Sequence, residues 1–295
     1  MRLQRTIKRE VVFNGIGLHT GRYASVKLKP AARDTGVVFY RVDKGALIRA
    51  NVASVIDTAF ATTIGFDNIK IRTIEHLMSA LAGIGIDNVL VEIEGPEIPI
   101  LDGSATELVS IILEAGIAKQ AKNKTFIQIL KPVLYEDAHS RVVALPYDGR
   151  KVSYHISFNH SYLKHQDLTL DIDETAFTRD IAPARTFGFL NDVEALKANG
   201  LARGGSLDNA VIVGENGVLN KSGLRFHDEF VRHKILDSIG DLSLIGYPIQ
   251  GHLILEKSGH TANVRFLKKL LASPDAYRLV SDPVSYPYSY QPAFA

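Results

Sequence analysis

Residues Phe226–Leu242 read FHDEFVRHKILDSIGDL, and this stretch predicts the helix around which the rest of the chain is arranged. His233, Asp237 and Asp241 recur at intervals of four residues, so on a helix that turns about 100° per residue they share one polar face with Lys234. A helix of this kind buries its apolar side against the rest of the protein. The apolar residues on its remaining surface are Val231, Ile235, Leu236, Ile239 and Leu242.

The polar face of this helix carries two groups that bind divalent metal ions. A histidine and an aspartate one helical turn apart, here His233 and Asp237, can direct both heads at one point. Two protein ligands do not hold zinc, however, and such a face is more often the solvated side of an ordinary amphipathic helix. A third ligand from elsewhere in the chain is needed to decide between a metal site and a solvated surface.

The composition restricts both the size class and the chemistry of the protein. With 295 residues, of which 46% are hydrophobic and 22% charged, the chain has the properties of a soluble globular protein of two domains. It contains no cysteine, which excludes a disulfide framework, a thiolate zinc site and a cysteine nucleophile. A metal site would therefore use histidine, aspartate or glutamate.

Neither a targeting signal nor a membrane-spanning segment is evident in the sequence. No apolar stretch of signal-peptide length follows the charged N-terminal residues, and no run reaches the roughly 18 apolar residues of a transmembrane helix. A formal net charge of +2 with dispersed Lys and Arg does not favour nucleic-acid binding, although a local basic patch for an anionic small molecule stays open. We therefore expect a cytoplasmic protein without a nucleic-acid partner.

Strand and helix patterns divide the chain into two α+β halves. The polar, lysine-rich stretch 118–125 predicts the boundary, so that residues 1–121 form an N-terminal α+β domain and residues 126–295 a C-terminal one. Each half offers strands followed by two helices. A short helix and a strand within residues 189–219 have the character of an insertion, and beyond Pro274 we expect surface coil.

The third metal ligand comes from the first half of the chain. Residues 73–83, TIEHLMSALAG, predict a helix with Thr73 as N-cap and with Glu75 and His76 in its first turn. Adjacent helical residues point about 100° apart, so His76 can bind an ion while Glu75 faces a water beside it. Three protein ligands leave one zinc position open for water, whose pKa falls towards about 7, and a neighbouring carboxylate can take up its proton. A Glu-His pair by itself is weak evidence, since most lie on helix surfaces.

Further motifs run in order along nearly the whole chain, from Gly15 to His260. They are Thr73-Ile74-Glu75-His76-Leu77, Gly85-Ile86-Asp87-Asn88, Gly95-Pro96-Glu97-Ile98-Pro99-Ile100, Asp102-Gly103-Ser104, Ala184-Arg185-Thr186-Phe187-Gly188-Phe189, Arg203-Gly204-Gly205-Ser206, Leu224-Arg225-Phe226, Arg232-His233-Lys234 and Lys257-Ser258-Gly259-His260. With these motifs the chain resembles the zinc-dependent UDP-3-O-acyl-N-acetylglucosamine deacetylases of lipid A biosynthesis.

The resemblance implies that His76, His233 and Asp237 bind zinc and that Glu75 is the general base. Ferrous iron is the alternative ion, because two histidines and one carboxylate accept either metal.

Three supporting residues follow from the same resemblance. Thr186 would help to hold the tetrahedral oxyanion, and His260, held by Asp241, would act as a cation and as a proton donor towards the leaving amine. An amide is a poor electrophile and an amine a poor leaving group, so the reaction needs both a polarising metal and a placed acid. A carboxylate such as Asp241 favours the charged form of a neighbouring imidazole.

Other residues are expected, by this resemblance, to contact the substrate. Lys234, Lys257 and Phe158 are assigned to the nucleotide end, because lysines suit a diphosphate and an aromatic face suits uracil. His19 is assigned to the sugar. The alternatives are that both lysines are ordinary surface residues, that Phe158 belongs to the core, and that His19 only satisfies the backbone of its glycine-rich loop.

The insertion at residues 189–219 is expected to form a tunnel for the fatty acyl chain. Without the resemblance, its apolar residues would be interpreted as the packing of a small subdomain. The residues assigned to substrate in and around the insertion are Phe187, Leu190, Val193, Leu196, Gly205, Ser206, Ala210 and Ile212.

The predicted fold is α+β, with two domains that are each a layered β-sheet and helix pair, a β-α-α-β sandwich with a small insertion, and with the active site between them. The predicted activity is removal of the N-acetyl group from UDP-3-O-(3-hydroxyacyl)-N-acetylglucosamine, the committed step towards lipid A in a Gram-negative bacterium. The expected protein is a monomer whose contact with the membrane surface is transient.

Two other functions compete with this prediction. A catalytically silent nucleotide-sugar or acyl-lipid binding protein of the same fold would lack at least one catalytic residue, and none is missing. A different metal hydrolase is disfavoured, because the His-Glu-x-x-His pattern of metallopeptidases does not occur in the chain.

Overall fold

Two helices that meet in the middle of the molecule organise its mixed α and β structure, which confirms the predicted α+β class. The computed structural model describes residues 2–281. In the first half the elements are β1 (Leu3–Ile7), β2 (Val11–Ile16), β3 (Tyr23–Pro30), β4 (Val37–Arg41), β5 (Ala46–Arg49), β6 (Val55–Asp57), β7 (Thr63–Phe66), β8 (Ile69–Ile71), α1 (Glu75–Gly83), β9 (Val89–Glu94), α2 (Thr106–Ala115) and β10 (Ile117–Asn123).

The main sheet of the first half has the strand order β2-β3-β9-β4-β5, with β4 parallel to β9 and the other pairs antiparallel. Alternate residues of β3, namely Ala24, Val26 and Leu28, are fully buried, as expected for a sheet with one face on the core. Strands β6, β7 and β8 form a separate small sheet, and β1 pairs with β10.

The second half builds a larger sheet around one central strand. Its elements are β11 (Phe126–Ile129), β12 (Val133–Glu136), β13 (Arg141–Leu145), β14 (Arg150–Ser157), β15 (His165–Asp171), α3 (Glu174–Ala176), a π-helical turn (Phe177–Ile181), β16 (Phe187–Phe189), α4 (Leu190–Ala198), β17 (Val211–Gly214), β18 (Gly217–Val218), α5 (Glu229–Ser243), β19 (Ile249–Glu256), α6 (His260–Leu271) and β20 (Tyr277–Val280). Strand β19 pairs with β11, β13 and β14, while β16, β17 and β18 form the sheet of the insertion.

Helix α1 packs on α2 and helix α5 on α6, and the two pairs meet where α1 contacts α5. Gly240 permits this contact to be close, because a Cβ atom there would lie 2.0 Å from the carbonyl oxygen of Glu75. The start of α1 therefore rests directly on the backbone of α5, and residues of both helices can reach one point.

Local structure differs from the sequence-based predictions at several places. Thr73 does not cap α1. Its φ of +56° is left-handed, and the residue at the N-cap position is Ile74, which makes no side-chain hydrogen bond to the helix. The predicted domain boundary at 118–125 contains strand β10, so it is no open linker, and the two-domain division itself stays a prediction. The predicted coil beyond Pro274 is wrong for β20, which pairs with β11. The remainder of that predicted coil, from residue 282, lies outside the described residues.

Within residues 2–281, no helix combines the length and the apolar character that crossing a membrane requires.

Candidate metal centre and active site

Three buried side chains from α1 and α5 converge on one point. The ligand atoms of His76, His233 and Asp237 all lie within 4.8 Å of one another. Asp237 Oδ1 is 3.3 Å from His233 Nε2 and 3.6 Å from His76 Nε2. The third ligand that the helix pattern of α5 lacks is thus supplied by α1, and the group is not a solvated helix face.

The surroundings of these side chains leave their lone pairs free for an ion. His233 Nδ1 lies 3.0 Å from the carbonyl oxygen of Ala184, so it donates there and Nε2 carries the lone pair. Lys234 Nζ donates to Asp237 Oδ2 at 2.8 Å, which leaves Oδ1 towards the histidines. The two oxygens of Asp237 therefore have different functions. Lys234 is partly buried and bound to Asp237, so it is not an ordinary surface lysine.

The electrostatics of the three side chains match a divalent metal. Burial, reinforced by His233, lowers the pKa of His76 to about 3, and burial also lowers the pKa of His233. Burial opposes ionisation of Asp237, but His233 and Lys234 hold the pKa of that carboxyl well below its usual range. Two neutral imidazoles and one carboxylate are a donor set that fits zinc or ferrous iron.

Glu75 occupies the first residue of α1, beside His76 and against α5. It is 3% exposed, and its Oε2 accepts a hydrogen bond from the backbone N–H of Thr62 at 3.0 Å. Burial raises the pKa of Glu75 to about 8, although the neighbouring His260 opposes this shift. A carboxyl with a pKa close to neutrality can both accept and release a proton during a reaction.

Asp241 and His260 form a hydrogen-bonded pair next to Glu75. His260, the first residue of α6, has its Nδ1 2.9 Å from Asp241 Oδ2. Asp241 is fully buried and also accepts from Thr62 Oγ1 at 2.6 Å and from Asn263 Nδ2 at 2.8 Å. Burial alone would lower the pKa of His260, but the Asp241 carboxylate raises it to about 9. The imidazole is therefore cationic at neutral pH.

Thr186 follows the segment that supports His233. Its backbone N–H donates to Gly103 O at 2.7 Å, and its carbonyl accepts from Val211 N at 2.8 Å. The preceding residue, Arg185, forms a buried ion pair with Glu229 at 2.8 Å, which anchors the segment to the start of α5. Among residues 2–281 the Thr186 hydroxyl has no hydrogen-bond partner, so it is available to a ligand.

The aromatic residues assigned to substrate form a cluster beside the metal ligands. Phe158 packs edge-to-face on Phe187 and Phe189, with ring centroids 5.9 and 5.2 Å apart. Phe187 in turn lies 6.3 Å from the ring of His233. Phe158 also packs against the hydrophobic core, so part of its ring surface is already covered, as the core alternative requires.

His19 and Lys257 differ in how far they are enclosed. His19 is buried, its backbone N–H donates to Glu97 Oε1 at 2.9 Å, and burial lowers the pKa of its ring. Its ring Nδ1 accepts a hydrogen bond from the backbone N–H of Ala202 at 3.4 Å, so the loop is joined to the insertion. Lys257 has a left-handed φ of +49° and an exposed side chain at the end of β19. Of the two lysines assigned to the nucleotide end, only Lys257 has an exposed side chain, because Lys234 is partly buried and bound to Asp237.

The insertion exposes much of its apolar surface. Helix α4 has no buried residue, Leu190 is 45% exposed, and Val193 and Leu196 are half-buried on one side of the helix. Ser206 is exposed, Gly205 and Ile212 are intermediate, and Ala210 is buried at 7% exposure. Ala210 is thus the predicted lining residue that the structure places furthest from solvent.

A cavity of about 390 Å³ lies between the two halves, but it is not the site assembled above. It is lined by Met78 and Leu81 of α1 and by Ile239 and Leu242 of α5, which face away from the metal ligands. None of the three metal ligands lines this cavity, so the converging ligands and charges locate the chemistry and the cavity does not.

Sequence reasoning missed the residues that hold the centre together. Thr62 and Asn263 bind Asp241, and Glu97 accepts hydrogen bonds from the His19 loop and from Thr73 Oγ1. Glu97 lies in a motif that the sequence analysis singled out, but nothing local distinguishes a structural carboxylate from a catalytic one.

The sequence profile described as UDP-3-O-acyl N-acetylglycosamine deacetylase matches residues 4–272. The chain belongs to this family. Its relatives named UDP-3-O-acyl-N-acetylglucosamine deacetylase include one from Thermodesulfovibrio yellowstonii, which is 54% identical over 96% of both chains. A relative from Acidithiobacillus ferrooxidans is 48% identical over 94% of this chain and 92% of its own, and one from Pseudomonas entomophila is 46% identical over 97% of both.

The family match extends over both halves of the chain that supply residues to the site. The matched range includes Glu75 and His76 of α1, the two ligands of α5, and His260. The whole arrangement therefore lies in the part of the chain that defines this deacetylase family.

Proposed function

We propose that the chain hydrolyses the acetamide of UDP-3-O-(3-hydroxyacyl)-N-acetylglucosamine, a step of lipid A biosynthesis. Water adds its oxygen to the acetyl carbon, the C–N bond breaks, and acetate and the free amine are the products. The observation that carries the proposal is the convergence of His76, His233 and Asp237 beside Glu75, in a chain that belongs to a deacetylase family.

The residues that would hold the metal are His76, His233 and Asp237. A zinc or ferrous ion bound there would polarise the amide carbonyl and lower the pKa of water into the neutral range. Lys234 neutralises the second oxygen of Asp237, and the Ala184 carbonyl orients His233, so these two ligands are held in place before any ion arrives.

Glu75 is the proposed general base. The Thr62 N–H holds one of its oxygens, and the other is available to take the proton of the attacking water. Burial raises its pKa from the usual range of a carboxyl towards neutrality, where one group can both take up and release a proton. The proton that it gains is then at hand for the departing nitrogen.

His260 is the proposed electrostatic and acid partner. Because Asp241 raises its pKa to about 9, the imidazolium can stabilise the negative charge that develops on the carbonyl oxygen and can protonate the amine. The free hydroxyl of Thr186 is proposed to donate to the same oxyanion. Either His260 or protonated Glu75 supplies the proton that the departing amine takes up.

The substrate is proposed to extend from the metal centre in two directions. Lys257 and Phe158 suit the nucleotide end, whereas Lys234 can serve there only in competition with its 2.8 Å contact to Asp237. His19 lies on the sugar side, and the half-exposed apolar residues of the insertion at 189–219 suit the acyl chain. On the family resemblance, we place the reaction in the cytoplasm, in a monomer that meets its amphiphilic substrate at the membrane surface.

The proposal is tested by acetate release from the UDP-acyl sugar, measured together with metal content. Glu75→Gln and His260→Gln keep the size of each side chain but remove its proton chemistry, and each is expected to lower kcat by about 10²- to 10⁴-fold. Both variants should retain bound metal, because neither residue is a ligand. Wild-type rates in both variants, or substrate binding without any turnover by the wild-type protein, would contradict the proposal and favour a silent binding protein.

A further inference from the structure

Thr62 lies immediately before β7 and is fully buried between the two halves of the molecule. All three of its polar groups are engaged at the site. Its N–H donates to Glu75 Oε2 at 3.0 Å, its carbonyl accepts from Ile74 N at 3.3 Å, and its hydroxyl donates to Asp241 Oδ1 at 2.6 Å. One residue of the first half thus contacts both the start of α1 and a carboxylate of α5.

The hydrogen bonds of Asp241 show what the Thr62 hydroxyl contributes. His260 and Asn263 both occupy Oδ2, at 2.9 and 2.8 Å, whereas Thr62 binds Oδ1. Among residues 2–281, Thr62 is the sole hydrogen-bond donor to Oδ1. The carboxylate plane, and with it the direction in which Oδ2 faces the imidazole, is therefore fixed from one side by this hydroxyl.

We propose that Thr62 is a positioning residue that keeps the Glu75 carboxyl and the Asp241–His260 pair in a fixed relation across the two halves. The inference rests on the roles of Glu75 and His260 proposed above. Thr62 acts on Glu75 through its backbone and on His260 through its side chain, so a side-chain replacement separates the two effects. The hydroxyl is part of the catalytic geometry without touching the reacting atoms.

Thr62→Val removes the hydroxyl and keeps the volume, the β-branch and the N–H to Glu75. The charged, buried carboxylate of Asp241 then loses the hydrogen bond that Oδ1 accepts from Thr62. If the energy of this bond is lost from the transition state, kcat falls by about 10- to 100-fold. KM and metal content should stay at wild-type values, because Thr62 contacts neither a metal ligand nor the insertion. Thr62→Ser restores the hydroxyl and should return kcat to within about threefold of wild type.

Thr63→Val is the matched control. Thr63 is the next residue, is 2% exposed, and makes no hydrogen bond through its hydroxyl among the described residues. This variant should keep wild-type kcat. If Thr62→Val does not fold, the experiment uses Thr62→Ala, which adds no methyl group. The expected kcat, KM and metal content are the same.

A double-mutant cycle with His260→Gln distinguishes positioning from a general structural role. If Thr62 acts through the imidazole, Thr62→Val should have less than about a twofold effect on kcat in the His260→Gln protein, assayed at higher enzyme concentration. Wild-type kcat in Thr62→Val, a full additional loss in the double variant, or loss of metal would each overturn the inference. Wild-type rates in Glu75→Gln and His260→Gln would instead refute the proposed function, so the two failures are distinguishable.

Discussion

Gly240→Ala tests whether the separation of α1 and α5 controls the activity. An added Cβ would lie 2.0 Å from Glu75 O and 2.8 Å from its carbonyl carbon, so it falls about 1.4 Å short of the 3.4 Å at which ordinary contact begins. The neighbouring atom is backbone and cannot rotate away, so the helices must move apart. Metal–ligand distances tolerate shifts of about 0.2 Å, and a misplacement of about 1 Å costs roughly 100-fold in rate.

The stability of Gly240→Ala should change far less than its activity. Overpacking costs about 1–3 kcal/mol, and the better helix propensity of alanine offsets about 1 kcal/mol of this cost. We expect unfolding by denaturant to show a loss of about 0–2 kcal/mol, while kcat/KM falls by about 100-fold and metal retained after dialysis decreases.

Gly188→Ala is the control for the Gly240 experiment, because a Cβ at that position meets no atom within 4 Å. It should unfold like the wild-type protein. Full activity and full metal content in Gly240→Ala would refute the reasoning, since they would mean that the centre tolerates a displaced α1.

Three further predictions concern the electrostatics of the site. Asp241→Asn removes the charge that raises the pKa of His260 to about 9; the imidazolium is then lost at lower pH, and the alkaline limb of the kcat/KM profile should move towards neutrality. Lys234→Met frees Asp237 Oδ2, and competition with a chelator should show metal affinity about 10- to 100-fold weaker. Arg185→Met leaves a buried carboxylate unpaired, and denaturant unfolding should show a loss of about 3–5 kcal/mol.

Local geometry made part of the site predictable from the sequence. The spacing of His233, Asp237 and Asp241 follows one face of a helix, and Glu75 and His76 are neighbours in the chain. Only one long-range contact, that of α1 with α5, is needed to bring the two groups together. The helix itself begins at Glu229, later than the pattern suggests. Its inward-facing polar groups lie where the period of 3.6 residues places them.

Long-range contacts account for what the sequence did not reveal. Thr62 is separated from Asp241 by 179 positions, and a threonine in a β-rich run has no local mark of a partner in a distant helix. Thr73 has the composition of an N-cap, but its hydroxyl donates to Glu97 at 2.7 Å, so a tertiary contact replaces the local one. Strand β20 is recognisable only through its partner β11, because short edge strands carry weak patterns of their own.

The placement of three functional groups on successive turns of α5 has a mechanical consequence. A stiff rod moves as a body, so thermal motion leaves the mutual geometry of His233, Asp237 and Asp241 nearly unchanged. What can vary is how far this rod stands from the neighbouring one that bears Glu75 and His76. The separation of α1 and α5 thus sets the geometry of the metal ligands, and a ligand or temperature change that shifts one helix against the other would act on that geometry directly.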